Sequence, residues 1–490
     1  MSVLRYTDPV HSERPGPARP RLQIDLPCLG TVRPRGLADT LPGNWLLGCE
    51  TLDRDYADYD QYKEYLAPLG IRRIRLQGGW AKCEPQPGVY RWEWLDHILK
   101  DAVARGLQPW LQLGYGNPAY PGAGGWNLGA GMPLSESGRA TYLTWVEKVA
   151  VRYAPLVRDW EVWNEPNFGD NPVNTPEITA ELNRQTAAIL RRVQPDARIS
   201  ALAMGHIDMD YAERFFRALA PGDAWKMFDN VTYHDYAYNP DANHLAVYRL
   251  RQIVAQYAPG LRLRQGENGA PSAPHAGGAL HDYGWTEISQ AKWDLRRMLD
   301  NLGQDIECSV FSIAEMQYHG EGPINRTNTK GLLQTDEKNR VLRPKPAYFS
   351  VQQAATLLDG RLTRLPGVVL RHTLDGPFAE ACCQSSDRSL ALYGYRDKVG
   401  RRLYTYWRDD AIPGDSLAPA SLTLTFRHSG LQDPVIVDLL SGCVYEWPAT
   451  RRQQAADGDH FCGLPVYDSP ILLAERGLVP IEAIVPGGEP

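Results

Sequence analysis

The sequence lacks an apolar segment at its start. Its opening residues, MSVLRYTDPVHSERPGPARP, carry no hydrophobic stretch of the kind a secretory signal needs, so the expected location is cytoplasmic. No uncharged apolar run of about 18 residues or more occurs, so no membrane-spanning helix is expected. A basic excess is also missing. The 52 Lys and Arg against 58 Asp and Glu leave a net charge of −6, which gives no handle for nucleic acid or an anionic membrane. The eight cysteines form no CxxC pair and have no histidine at zinc-ligand spacing, so they read as reduced, mostly buried thiols. Cys382 and Cys383 are expected in a core and not as a redox pair. Phe is scarce at 9, whereas Trp (14) and Tyr (25) are abundant. Their flat faces and polar tips suit sugar rings, and equally an aromatic-rich core.

At 490 residues the chain is too long for one core. Residues 1–20 are rich in Pro and Arg and predict an extended segment. Residues 21–40 hold a strand (22–34) that precedes the main repeat and is expected to join a later sheet. From 41 to 360, eight strand-like runs alternate with helix-like stretches: 44–50, 71–78, 108–115, 157–164, 198–205, 229–236, 261–267 and 308–315. Apolar spacing near 3.6 marks helices at 55–67, 92–105, 139–153, 177–193, 243–257 and 286–302. Gly70, Gly106 and Gly303 are read as their stops. Eight such units predict an α/β protein with a (β/α)8 barrel. A doubly wound open sheet is the alternative, but it would want a Gly-rich phosphate turn that is missing. Residues 361–478 change to short alternating runs with turn signals, which predict an accessory antiparallel β-sandwich, and 479–490 read as a tail.

In such a barrel, reactive groups stand at the C-terminal ends of strands. Strand four ends WEVWNEPN and strand seven ends RQGENG, which places Glu165 and Glu267 there. Paired carboxyls across a barrel mouth are what glycosidic cleavage needs: one protonates the leaving oxygen, the other attacks or activates water.

WEVWNEPN resembles the acid/base strand of clan A glycoside hydrolases, nearest to family 39. The resemblance implies Glu165 as acid/base, Asn164 as ligand of the sugar 2-hydroxyl and Glu267 as nucleophile. GIRRIRLQGGW (70–80) is similar to the clan's second strand and implies Arg75 beside the nucleophile, where its charge would keep Glu267 ionised. YHDY (233–236) looks like the sixth strand and implies His234 and Tyr236 around the nucleophile. The resemblance covers roughly residues 40–360. The sequence departs from family 39 in having Gly-Glu-Asn at the nucleophile, and strand eight ends FSIAEMQYHG with Glu315 where many members have Trp.

Further expected sugar contacts are Glu50, Glu315, Trp80, Asn117, His206 and Trp285, with Trp126, Gln317 and His319 as loop candidates. Glu315 is the first replacement for Glu267 as nucleophile. Glu161 is expected to lie deep and to pair with an inward Arg such as Arg73. The expected activity is retaining hydrolysis of a small glycoside or oligosaccharide by double displacement, exo-acting, without metal or organic cofactor. Two alternatives are a catalytically silent barrel that binds glycans or a partner protein, and a transglycosylase using the same residues.

Overall fold

Eight short parallel strands alternate with helices and close on themselves. The structure, a computed structural model, describes residues 4–168, 173–318, 326–366, 369–375, 390–456 and 458–484. The barrel strands are β1 (Trp45–Gly48), β2 (Arg73–Gln77), β3 (Gln108–Leu113), β4 (Asp159–Val162), β5 (Arg198–Met204), β6 (Asn230–Tyr233), β7 (Arg262–Asn268) and β8 (Glu307–Val310). Each pairs with its sequence neighbours, and β8 pairs with β1 to close the ring. The eight outer helices are α1 (Tyr59–Leu69), α2 (Glu93–Ala104), α3 (Glu136–Tyr153), α4 (Pro176–Val193), α5 (Met209–Leu219), α6 (His244–Tyr257), α7 (Glu287–Gly303) and α8 (Pro346–Leu357).

Helix starts follow local chemistry. Asp58, Ser135, Thr175, Asp208 and Thr286 each accept a backbone N–H from the first turn of the helix they precede. Gly70 takes φ 81° and stops α1 as expected. Gly303 does not act as a stop. It lies in the last turn of α7, where a Cβ would stand 2.4 Å from the Tyr393 ring, so its lack of a side chain lets the sandwich pack on the helix.

The barrel interior is charged at its N-terminal end. Arg73, Asp159, Arg198 and Glu307 are the first residues of their strands. Arg73 donates to Glu307 at 2.6 Å, and Arg264 bridges Glu307 (2.7 Å) and Asp159 (2.9 Å). The buried Trp110 ring lies against both Arg264 (4.5 Å) and Arg75 (5.2 Å).

Among the described residues, the second domain consists of two antiparallel sheets of eight and four strands. Cys28–Val32 sits in the larger sheet between Cys443–Glu446 and Ile481–Glu482. The last of these corrects the reading of a tail from 479, because Ile481 and Glu482 pair with Val32 and Thr31. Within the expected extended segment 1–20, the described residues form a hairpin. Arg5–Thr7 pairs with Pro15–Ala18, and Tyr6 stacks on Phe349 of α8 at 4.2 Å, which anchors the segment. No helix among the described residues is long and apolar enough to cross a membrane. Cys382, Cys383 and His319 lie outside the described residues.

Candidate active site

At the C-terminal end of the strands, the backbone after β4 turns sharply. Trp163 and Glu165 take φ 64° and 47°, a left-handed region that side chains seldom adopt and that clusters at functional sites. This turn aims Glu165 inward across Gly205, where a Cβ would come within 3.0 Å of its carboxyl carbon. Glu267 reaches the same space by another device. It lies three residues beyond the inward Arg264, so regular alternation would turn it outward. The pairing of β7 with β8 shifts register between Gln265 and Asn268, and that irregularity re-aims the side chain.

Arg75 is the hub. Fully buried on β2, it donates through Nε to Glu161 (2.7 Å), through Nη1 to Glu267 (3.0 Å) and Glu50 (3.1 Å), and through Nη2 to Asn164 (2.6 Å). Asn164 in turn donates to the Tyr115 hydroxyl at 2.9 Å. Tyr236 donates to the other oxygen of Glu267 at 2.8 Å. His234 Nδ1 stands 2.7 Å from Glu165 and 3.7 Å from Glu267. One oxygen from each Glu and this nitrogen all lie within 4.8 Å of one another.

The electrostatics divide the carboxyls. Burial raises the affinity of Glu267 for its proton, but His234 and Arg75 outweigh it and hold this carboxyl below its ordinary range. Burial pushes Glu50 the other way, to about 8, against the pull of Arg75 and with the help of Glu267. Burial alone would lower His234, yet Glu267 and then Glu165 bring it above its ordinary value.

The trio Glu165, His234 and Glu267 has metal-like spacing, as does Asp241, His244 and Asp300 elsewhere. In both, a guanidinium already bonds one carboxylate: Arg75 on Glu267 and Arg296 on Asp241. The protein thus supplies its own cation at each place.

Several expected contacts belong elsewhere. Glu50 is only 1% exposed and lies against Arg75, so it is no ligand for sugar hydroxyls. Glu161 pairs with Arg75, and Arg73 pairs with Glu307 instead. Glu315 stands beyond the end of β8 and is held by Lys345 at 3.0 Å and the Thr335 N–H at 3.1 Å, which removes it as a replacement nucleophile. Trp80 donates to Glu84 and stacks on Tyr120 and Trp145 in the core. Trp285 donates to the Leu280 carbonyl and packs with Trp293. Asn117 braces its own loop through Glu84 and Ala119, and Gln317 joins Thr327 and Thr335. The His206 side chain is exposed, as is Trp126.

Two neighbours of the site escaped the sequence reading. Tyr115 ends the run after β3 and holds Asn164. Lys330 is buried with its Nζ 5.5 Å from the Tyr236 ring centre, and burial pushes it down to about 7. The position of Tyr115 just past a strand end was an available signal. Lys330 comes from a loop with none.

No family model matches the sequence, and no curated protein matches it. Solved structures do. A family 39 glycoside hydrolase from the gut symbiont Bacteroides cellulosilyticus WH2 matches with a TM-score of 0.62 and 19% identity, covering 89% of this chain and 81% of that one. A family 39 β-xylosidase from Caulobacter crescentus gives 0.55 and 18%, covering 91% and 98%. The catalytic domain of a family 30 xylanase C from Talaromyces cellulolyticus gives 0.54 and 12%, covering 90% and 98%. At these identities the likeness establishes the fold: a (β/α)8 barrel with its β-sandwich.

Proposed function

We propose that the protein is a retaining glycoside hydrolase of the clan A type. The observation that carries this reading is the convergence of the two carboxyls at the mouth of the barrel, where one oxygen of Glu165 lies within 4.8 Å of one oxygen of Glu267. A gap of about 5–5.5 Å between carboxyls accompanies retention, and one of about 6.5–9.5 Å leaves room for the water of an inverting enzyme. The convergence also speaks against a silent binding barrel, which has no need to bring two carboxyls together.

In this mechanism Glu267, ionised beside Arg75 and oriented by the Tyr236 hydroxyl, attacks the anomeric carbon. The bond to the leaving oxygen breaks as Glu165 donates its proton there. His234, bonded to Glu165, orients that carboxyl. The glycosyl ester on Glu267 is then cleaved by a water that Glu165 deprotonates, which restores both groups and the original anomeric configuration. Asn164, held between Arg75 and Tyr115, presents its amide to the sugar 2-hydroxyl.

The proposed substrate is a small β-glycoside attacked from its end. The long segments after β3, β7 and β8 favour a closed pocket, and the xylosidase and xylanase neighbours make a β-xyloside the first choice. A panel of nitrophenyl glycosides identifies the sugar. NMR of the first product tests the mechanism: retained configuration is expected, and inversion would rule out the double displacement. Azide should rescue E165A and yield a β-glycosyl azide. Product analysis with added sugar acceptors separates hydrolysis from transglycosylation by the same residues.

A further inference from the structure

Glu50 follows β1, and its place is unusual. It is 1% exposed, and among the described residues its carboxyl takes one hydrogen bond from another side chain, the 3.1 Å contact from Arg75. That is the longest of the four bonds this guanidinium makes. The other oxygen, Oε2, is buried with no partner. It is packed over Gly48, where even a Cβ would stand 2.4 Å from it. Three carboxyls therefore share one guanidinium: Glu161 on β4, Glu267 on β7 and Glu50. Even with His234 beside Glu267, one guanidinium cannot balance three negative charges out of water. A bare carboxylate oxygen there would carry the full cost of desolvation, and a neutral acid carries far less. Glu161 also has one buried oxygen without a partner, but its other oxygen stands 2.7 Å from both Nε and Nη2 of Arg75, and Glu267 adds the Tyr236 hydroxyl to its 3.0 Å bond from Arg75. Glu50 has the weakest claim on the charge.

We propose that Glu50 is a positioning residue for the reaction described above, standing against Arg75 as a carboxylic acid so that the guanidinium charge goes to Glu267 and Glu161. It touches no substrate. It fixes the Arg75 fork while adding no negative charge beside the nucleophile. The inference rests on the glycosidase reading for its catalytic consequence and on the geometry alone for the protonation. The other titratable groups facing Glu50 are Cys49 beside it in the chain and Tyr62 on α1, whose own acidities burial suppresses. Burial likewise places Glu50 itself near 8.

Linkage fixes the sign. A carboxyl whose folded value is raised contributes stability in full below its unfolded value of 4.5, and loses it as pH rises through about 8. The full-length wild type and E50Q are compared by thermal unfolding from pH 4 to 9 and by infrared spectroscopy. Wild type should lose stability relative to E50Q across that window. The wild-type minus E50Q spectrum at pH 6 should contain the carbonyl band of a protonated carboxyl. Parallel unfolding profiles, or carboxylate bands only, would overturn the proposal. Neither readout needs a substrate, so both stand if the glycosidase reading fails. Turnover of a nitrophenyl glycoside supplies the catalytic arm. The acidic limb of kcat/KM should stay in place in E50Q, because one neutral group replaces another. Its displacement to lower pH would mean that a charge had been removed and would overturn the proposal. Should E50Q fail to fold, pH-difference infrared spectra of wild type against E50D carry the same two outcomes.

Discussion

The two ends of the barrel interior are built from the same residue types and behave differently. At the N-terminal end, three arginines (Arg73, Arg198 and Arg264) face two carboxylates (Asp159 and Glu307). The surplus is positive, and Glu307 is held well below its ordinary range because Arg264, Arg73 and Arg198 outweigh its burial. At the mouth, one arginine faces Glu50, Glu161 and Glu267, and Glu165 leans on His234. The carboxyls outnumber the guanidinium, and burial raises Glu50 to about 8. An ion cluster with enough cations is a fixed structural part. The same cluster short of cations holds exchangeable protons, which acid/base chemistry requires.

The contrast can be broken from either side. The largest effect is expected from E267A, which should lower kcat by a factor on the order of 10⁴ to 10⁶ and leave thermal stability nearly intact. R264M at the other end should do the reverse, costing about 3–5 kcal/mol of stability through stranded carboxylates while the folded fraction keeps its kcat. Urea unfolding and single-turnover rates separate the two. R75M falls between them, weakening both and moving the acidic limb of kcat/KM to higher pH, since Glu267 loses a cation that favours its ionised form. The stability that Glu307 contributes is present above its unfolded value of 4.5 and lost as pH falls through its depressed folded value. Acid unfolding of E307Q should therefore be shallower than that of wild type. The smallest change is Y236F, which removes one hydrogen bond to Glu267 and should slow turnover about tenfold, for a loss of about 1–1.5 kcal/mol.

Much of the fold and part of the site are legible in the sequence, but the contrast between the two ends is not. The alternation of strands with 3.6-period helices pointed to the barrel, and helices α2, α4, α6 and α7 fall within a residue or two of the predicted ranges. Glu165, Asn164, Arg75, His234 and Tyr236 converge as the motifs implied. The failures have physical causes. A tryptophan near a strand end reads the same whether it faces a sugar or the core. Trp80 turns inward because Gly79, at φ 57°, starts a short helical turn there. Which arginine a buried glutamate meets depends on register between strands, so Glu161 was assigned to Arg73 when it meets Arg75. Glu50 looked like a sugar ligand because strand-end position says nothing of depth. The inward aim of Glu267 rests on a register shift that no periodicity announces.

Helix α7 follows β7, the strand of Glu267, and is covered on nearly every side. Its Asp300 accepts from Tyr393, its Arg296 donates to the Ala411 carbonyl, its Lys292 binds Asp468, and Gly303 seats the Tyr393 ring. All three partner residues belong to the sandwich. The second domain therefore acts as a splint on the barrel unit that carries Glu267. Heating that loosens the splint should free Glu267 while Glu165 is still in place, so that activity fades before the barrel melts.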